Sequence, residues 1–522
     1  MKTVLITTSG TGERLGINTK YTNKSLVNVG DKYAICHIIE NYESDTEFII
    51  TIGYFGNIVK DFLLLAYPTH QFTFIEIDNY VGEGSSLGYS LLKAMPYLHK
   101  PFIFHCCDAI ILEPIHFDES ANTLCVIKYD LNDQYTNIIV NKDKIQEINP
   151  KKYPKYDYIY TGISFIYNYD NFWKKLQSVY DSNTLNSSLS DVDSIREMLK
   201  TDEFKYIVLD EWYDTGNINS YTNLKHYFKS SYDILAKPTE SLCFLDNTVI
   251  KFINDISINK KRIERGNLLG ELAPKILNSA DNFIVMEKVE GTILSKYYKQ
   301  GEIYRLLTWA KQNLWKNANT SEKYRMECYD FYIHKTNNRI KSIKFLDSEI
   351  NNINGINTGS IESLMKKVES VDHLFTDTFY HFHGDFILDN IIKTKDSYKL
   401  IDWRHEFGTQ ITHGDLYYDL AKLRHNIIFN HENVLNNLYK IEHLSIDKTE
   451  YNTHIVELDL KCNYFFIEQL NDFDKFILEN NYDLKKIKII MSIIWLNMAP
   501  LYDNELSEFL FYFGKYNLSL LI

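Results

Sequence analysis

The stretch that most restricts this chain is His381-Phe382-His383-Gly384-Asp385, followed by Asp389-Asn390 and then by the apolar pair Leu400-Ile401 running into Asp402-Trp403. It reads as a loop and a short strand carrying a base and two metal ligands. Asp385 is placed to accept a hydroxyl proton. Asn390, five residues on, and Asp402, at the end of an apolar run, can together hold Mg2+ against a nucleotide phosphate. Two Asp and an Asn in a polar loop also make turns and caps, so the surrounding sequence has to decide between the two.

At 522 residues the chain exceeds a single hydrophobic core and predicts about two to four domains. Hydrophobic residues at 45% and charged residues at 24% predict ordered globular domains rather than a long disordered tail. The net charge of −13 argues against sequence-independent nucleic-acid binding, which needs a basic surface; a nucleotide needs only a local basic pocket and Mg2+. Seven scattered Cys without a Cys-x-x-Cys pair indicate neither a disulfide framework nor a zinc site, and fit a reducing cytoplasm. The run Ile489 to Leu501 falls short of the roughly twenty apolar residues of a membrane span and predicts a buried helix.

In the first half, Val4 to Thr8 reads as a buried strand. Ser9-Gly10-Thr11-Gly12-Glu13-Arg14 reads as a glycine loop whose amides can approach phosphate. Its spacing fits neither a Walker A loop nor the full dinucleotide fingerprint. Lys24 follows about ten residues after Arg14, and two cations beside such a loop suit a triphosphate. Strands at Phe48–Tyr54 and Phe72–Glu76, with a helical segment between, imply a parallel sheet. Gly84-Ser85-Ser86 opens a helix and suits a nucleobase or ribose contact, or a plain N-cap. Asp108 ends the strand Pro101–Cys107, and ligands bind at the carboxyl ends of parallel strands. Asp214 supplies a second acid, and the two could share one Mg2+.

This order of elements resembles the nucleotidyltransferases that activate sugar phosphates and phosphocholine, which open with GxGxR and then PK; here Asn23 stands where that family has Pro. The resemblance covers about residues 1–228. It implies Arg14 and Lys24 as catalytic cations, Ser9, Gly10, Thr11, Gly12, Gly84, Ser85 and Ser86 as nucleotide contacts, and Asp108 and Asp214 as Mg2+ ligands. Lys142 to Lys155 is expected as a surface hairpin or flap, and the strand around Gly162 as a wall of the acceptor pocket.

In the second half, Ile218 to Tyr232 predicts a closing helix and Ala236 to Thr239 a boundary. Ser241–Leu245 and Thr248–Ile253 predict a hairpin carrying Lys251, with Glu264 on the next helix as its expected ion-pair partner. Phe283 to Glu287 reads as a strand, and Lys288 to Gly291 resembles the hinge by which kinases contact adenine, which implies Glu287 and Val289 as adenine contacts. The Asn-rich piece Glu349 to Thr358 reads as a loop. The HGD, DN and IDW triplets resemble the catalytic segment of the choline kinase and aminoglycoside phosphotransferase family, which implies Asp385 as base, Asn390 and Asp402 as Mg2+ ligands, His383 as a brace, and Asp415 and Asp419 as structural acids. Arg404 stands where choline kinase-like proteins carry Glu or Gln. A cation there repels a quaternary ammonium group and favours a neutral polyol, a sugar or an anionic acceptor, unless Glu406 neutralises it.

The expected architecture is therefore α/β: a Rossmann-like, GT-A-like nucleotidyltransferase domain with a mixed sheet over 1–228, and a two-lobed, protein-kinase-like α+β domain over 238–522. The resemblances imply an enzyme that uses ATP to phosphorylate a small alcohol and then transfers a nucleotide to that phosphate, from CTP foremost, with UTP and GTP left open. Mg2+, ATP and CTP are the implied cofactor and co-substrates, and the products feed surface polysaccharide or lipid. The alternatives are one active domain with a nucleotide-sensing partner, and a non-enzymatic scaffold. No nucleic acid and no membrane span are expected; the sequence leaves a homo-oligomer open.

Overall fold

The computed structural model describes residues 2–130, 133–229, 237–297, 299–316, 318–448, 451–461 and 465–522. It divides into two compact units, one of residues 1–256 with 277–288 and one of residues 257–276 with 289–522.

In the first unit, Thr3–Thr7 is apolar, β-branched and buried at every position, as a central strand covered on both faces must be. It lies inside a parallel block ordered Gln71–Glu76, Glu47–Ile52, Thr3–Thr7, Phe102–Cys106. Parallel neighbours need crossovers, and the helices Gly56–Ala66 and Leu87–Ala94 provide them. The sheet then turns mixed, continuing through Tyr158–Ile166, Asn122–Ile127, Phe204–Val208, Lys144–Asn149 and Asn137–Asn141. That is the expected mixed α/β sheet. Because Thr7 and Cys106 end neighbouring parallel strands, the glycine loop and Asp108 emerge at the same edge. The expected flap, Lys142 to Lys155, coincides only in part with a hairpin of the sheet, Asn137–Asn141 with Lys144–Asn149, whose turn lies at Lys142-Asp143 with Lys142 in the left-handed region (φ 57°).

The closing helix spans Ile218–Tyr227 and ends at Phe228, short of its expected length; Ser230 to Tyr232, and Ala236, fall outside the described residues. Beyond it the hairpin forms as expected, Glu240–Phe244 pairing with Thr248–Ile253, and Phe283–Glu287 and Ile276–Ala280 extend it to four strands. The compact division nevertheless falls after Ile256 and not between 228 and 238. Phe62 on the helix Gly56–Ala66 needs an apolar cover, and Phe283 provides it with ring centroids 5.8 Å apart, while Phe252 packs on Phe283 at 5.5 Å. Phe252, Phe283 and Val285 join Phe62, Ile58 and Val59 in one buried cluster. Hydrophobic cover, rather than sequence order, assigns these strands to the first unit.

The second unit is mainly helical, with the helices Ile256–Leu269, Glu302–Asn313, Ile361–Glu369, Leu416–Ile428, Phe465–Glu479, Leu484–Met498 and Asn504–Ser519. Leu484–Met498 is the buried helix expected from its hydropathy. Among the described residues no helix is long and apolar enough to cross a membrane. The expected loop Glu349 to Thr358 contains a small hairpin, Asn352–Ile353 with Ile356–Asn357, whose first strand pairs with Tyr451–Leu460. A strand partner distant in sequence leaves no local signal, so an Asn-rich turn reads as loop.

Phe283→Ala should lower stability by about 3–5 kcal/mol, the usual cost of emptying a buried aromatic site. Urea unfolding measures it, and a loss below about 1 kcal/mol would place Phe283 outside the core of the first unit.

Candidate functional sites

In the first unit the two acids of the expected metal site stand side by side. Ala109–Ile110 and Tyr213–Asp214 pair antiparallel with Ala109 opposite Asp214, and the Thr215 amide donates to the Asp108 carbonyl at 2.9 Å. Buried His105 fixes this turn. Burial pulls its pKa down to about 4, so the neutral ring donates from Nε2 to the Ala109 carbonyl (2.8 Å) and accepts at Nδ1 from the Tyr42 hydroxyl (2.7 Å). Asp214 accepts from the Gly216 amide (2.7 Å), the Tyr135 hydroxyl (3.0 Å) and Asn217 Nδ2 (3.0 Å).

The two cations converge on the same point. Lys24 Nζ lies 3.2 Å from Asp108 Oδ2. Asn23, fully buried, pins the segment that carries it: its Nδ2 donates to the Thr8 and Tyr54 carbonyls (2.8 and 2.6 Å) and its Oδ1 accepts from the Ser25 amide and hydroxyl. The backbone of Asn23 sits at φ −79°, close to the angle a proline imposes, and its side-chain amide adds two hydrogen bonds that a proline could not make. Gly12 lets the glycine loop close over Lys24: its φ is +68°, and a Cβ there would meet Lys24 Cβ at 2.9 Å.

Gly216 marks the centre. A Cβ on it would lie 2.8 Å from Asp214 Oδ1, 2.9 Å from Asp108 Oδ2 and 3.5 Å from an Arg14 guanidinium nitrogen. That cradle holds two carboxylates and two cations, and glycine keeps it open. Burial opposes the charge on Asp108, but Lys24 and Arg14 outweigh it and hold the carboxyl below its ordinary pKa. Asp214, raised by burial and by the Asp108 charge, is pushed the other way. A divalent cation relieves that repulsion, and Mg2+ is commonly held by one or two carboxylates plus substrate phosphates, so the pair fits the ion. Among the described residues no group of three or more His, Cys, Asp or Glu could hold a metal alone.

The remaining loop residues are placed as follows. Ser9 Oγ and Ser90 Oγ lie 2.9 Å apart, tying the glycine loop to the helix Leu87–Ala94. Gly10 and Thr11 stand half-buried in that loop, with open space where a Gly10 side chain would point. Gly84 is left-handed (φ 78°), the Ser85 hydroxyl donates to the Gly82 carbonyl (2.6 Å), and Ser86 caps the helix by accepting from the Tyr89 amide (3.0 Å). Gly162 (φ 80°) sits where the Tyr158–Ile166 strand changes register, against Cys106.

In the second unit Asp385 is the hub. Asn390 Nδ2 donates to its carbonyl (3.0 Å) and to Oδ2 (3.1 Å), and Lys422 Nζ pairs with Oδ1 at 2.6 Å. Burial opposes ionisation, yet Lys422 holds Asp385 below its ordinary pKa. Asp402, left-handed at φ 52°, pairs with Arg262. It follows Ile401, whose amide donates to the Asn390 carbonyl at 2.9 Å, so the two expected metal ligands come from adjacent backbones. With Nδ2 turned to Asp385, Asn390 keeps an amide oxygen for a cation, and Asp402 adds a carboxylate; this donor set also suits Mg2+.

The loop is held by groups away from the chemistry. His383 Nδ1 accepts the Asp385 amide (3.2 Å) and Nε2 faces the Ile401 carbonyl (3.0 Å), so the proton sits on Nε2. Buried Asp419 accepts from the amides of His383 (2.8 Å) and Gly384 (2.7 Å) and from Trp315 Nε1 (3.0 Å). Asp415 caps the helix Leu416–Ile428 through the Tyr417 amide (2.9 Å). Arg265, 1% exposed, donates to the carbonyls of Phe382, Arg404 and Ile411 and lies over the Phe382 ring. His383, Asp415 and Asp419 thus have the bracing roles expected of them.

Lys251, 7% exposed, pairs with Glu240 at 3.1 Å on the neighbouring strand. Glu264 lies on the helix Ile256–Leu269 of the second unit. Glu287 ends its strand opposite Thr248, and Val289 opens the second segment of the second unit.

No protein-family profile matches the chain, and no curated protein matches it. Solved structures do. A CTP:phosphocholine cytidylyltransferase from Streptococcus pneumoniae is 20% identical over 44% of this chain and 100% of its own, with a TM-score of 0.38. A UDP-glucose pyrophosphorylase complexed with UDP-glucose is 16% identical over 44% and 98%, with a TM-score of 0.37. An inositol-1-phosphate CTP transferase from T. maritima is 17% identical over 44% and 97%, also with a TM-score of 0.37.

Several residues at these sites escape sequence reasoning. Tyr135 and Asn217 reach Asp214 from elements far apart in the chain or read as a plain cap. Arg262, Arg265 and Lys422 are cations on helices whose faces only the tertiary structure defines. One signal was present: Lys422 follows Asp415 and Asp419 on a largely apolar helix, where a lysine needs a partner.

Lys24→Met should cost about 1–3 kcal/mol by leaving Asp108 with a weaker counter-charge, and Mg2+ should raise the melting temperature of the variant more than that of the parent. Equal Mg2+ shifts in thermal denaturation would contradict this. A second expectation concerns pH. Burial raises Asp419 to about 6 against its three N–H donors. The folded state therefore binds a proton that the unfolded state releases near pH 4, and the associated stability, about 3 kcal/mol, is complete below pH 4 and lost as pH rises through 6. Asp419→Asn should flatten that part of the unfolding free-energy profile; an unchanged slope would contradict it.

Proposed function

We propose that the chain is a bifunctional enzyme: a kinase that phosphorylates a small alcohol with ATP, and a nucleotidyltransferase that couples the resulting phosphate to a nucleoside monophosphate, CMP from CTP foremost, releasing pyrophosphate. The observation that carries the reading is the convergence of Arg14, Lys24, Asp108 and Asp214 around Gly216, which is what a triphosphate and its cation require. The arrangement of Asp385 between Asn390 and Lys422 supports the kinase half.

In the transferase site Arg14 and Lys24 bind the phosphate oxygens, and the glycine loop from Ser9 to Gly12 offers amides at close approach. An oxygen of the acceptor phosphate attacks the α-phosphorus; one P–O bond forms as the bond to pyrophosphate breaks. In the kinase site Asp385 orients the alcohol and accepts its proton as the γ-phosphoryl group moves, while Lys422 keeps Asp385 ionised. Lys251, Glu264, Glu287 and Val289 are proposed nucleotide contacts, with 238–522 as the kinase segment. Mg2+ would be held by Asp108 and Asp214 in one site and by Asn390 and Asp402 in the other, where it neutralises phosphate charge. Carrying both steps in one chain raises the local concentration of the shared intermediate, and the activated product suits assembly of a surface polysaccharide or lipid.

Asp385→Asn should abolish ATP-dependent phosphorylation and leave transfer onto a supplied phosphorylated alcohol intact. Asp108→Ala should do the reverse, each loss being about a hundredfold or more. Pyrophosphate release unchanged in both Asp108→Ala and Asp214→Ala would overturn the transferase half and leave the first unit as a nucleotide sensor.

A further inference from the structure

Beside Asp385 the second unit gathers positive charge that the phosphoryl transfer itself does not need. Arg404 is fixed to the catalytic loop: its amide donates to the His383 carbonyl at 3.1 Å, and a Cβ on Gly384 would meet Arg404 Cβ at 2.6 Å. Its guanidinium carbon lies 5.0 Å from the centre of the Phe331 ring, and Lys335 Nζ lies 4.0 Å from that same ring. Phe331 lies within a π-helical turn, Asp330–His334, and Lys335 directly follows it, a distortion often found at functional sites.

These cations lack counter-charges. Arg404 Nε donates to the backbone carbonyl of Glu406 (2.8 Å), but the Glu406 carboxylate is engaged by Lys261 (2.6 Å) and His405 (3.5 Å). The condition under which Glu406 would neutralise Arg404 is therefore not met. Among the described residues neither Lys335 nor the terminal nitrogens of Arg404 form an ion pair or hydrogen bond. Every charged group acting on Lys335 is itself a cation, namely Arg404, Arg339 and Lys422, and with burial they pull its pKa down to about 6. Arg339 is bound to the Asn497 carbonyl (3.0 Å) and Lys422 to Asp385. The Phe331 face, which could have received a quaternary ammonium group, is taken by two side chains of the protein. Lys335 therefore gives up most of its charge at neutral pH, and an anion bound between it and Arg404 removes the repulsion and restores that charge.

We propose that the alcohol phosphorylated at Asp385 carries an anionic group, a carboxylate or a phosphate, held by Lys335 and Arg404. The proposal rests on the kinase reading of the second unit and narrows its acceptor to an anionic alcohol, excluding choline and unsubstituted polyols.

Calorimetric titration of the full chain, saturated with Mg2+ and a non-hydrolysable ATP analogue, with glycerate, glycerol 3-phosphate, glycerol and choline tests it. At least one of the two anions should bind about tenfold or more tightly than glycerol or choline, and the better one identifies carboxylate or phosphate. Lys335→Gln and Arg404→Gln should each weaken that anion about tenfold, and Lys335→Arg should restore it. Lys335→Gln alone serves if the Arg404 variant fails to fold. Glycerol or choline binding as tightly as both anions, anion binding unmoved by the variants, or displacement of the anion by the ATP analogue would each overturn the proposal. Lys335-dependent anion binding without ADP formation from ATP and any of the four alcohols would support the anion site and overturn the kinase reading instead.

Discussion

A carboxylate drawn partly out of water is kept ionised by a neighbouring cation, and both candidate sites are built on that constraint. Asp108 is half-buried next to a second acid, Asp214, and remains charged through Lys24 and Arg14. Asp385 is half-buried near Asp402, and each has its own cation, Lys422 and Arg262. The surrounding structure serves these pairs. Asn23 and Gly12 deliver Lys24, His105 shapes the turn before Asp108, Asp419 and Arg265 hold the backbone of the loop that carries Asp385, and Gly216 leaves the space in which the first pair meets.

Much of this arrangement was legible in the sequence. Thr3–Thr7 announces a central strand by its unbroken apolar run, the glycine loop follows it, and Asp108 sits at a strand end, so the placement of Arg14, Lys24 and Asp108 follows from chain order in a parallel sheet. Asp385, Asn390 and Asp402 are close in sequence, and local spacing sufficed to bring them together. What sequence could not supply are contacts made across long separations. Tyr135 reaches Asp214 over 79 residues and Arg262 reaches Asp402 over 140. Neither carries a local pattern, because a surface tyrosine or a helical arginine looks the same with or without its partner.

The unit boundary shows the same physics at larger scale. Residues 240–253 and 276–287 form a hairpin sheet whose pattern predicts strands but not their neighbours. Phe252, Phe283 and Val285 are apolar on one face, and the helix Gly56–Ala66 has an apolar face of its own; burying the two together decides the division. Asn23 illustrates the opposite case. It stands where the resembled family has Pro, and its amide makes two backbone contacts a proline could not.

The central claim is that the product of one site is the substrate of the other, and the fate of a single phosphorus atom tests it. Purified protein is incubated with ATP labelled at the γ-phosphate, unlabelled CTP, Mg2+ and an alcohol acceptor, and the products are separated and weighed by mass spectrometry. The account predicts a CDP-linked alcohol in which the phosphate next to the alcohol carries the label and the phosphate next to cytidine does not. Label confined to ATP and inorganic phosphate, with no labelled nucleotide-linked product from any alcohol, would contradict it.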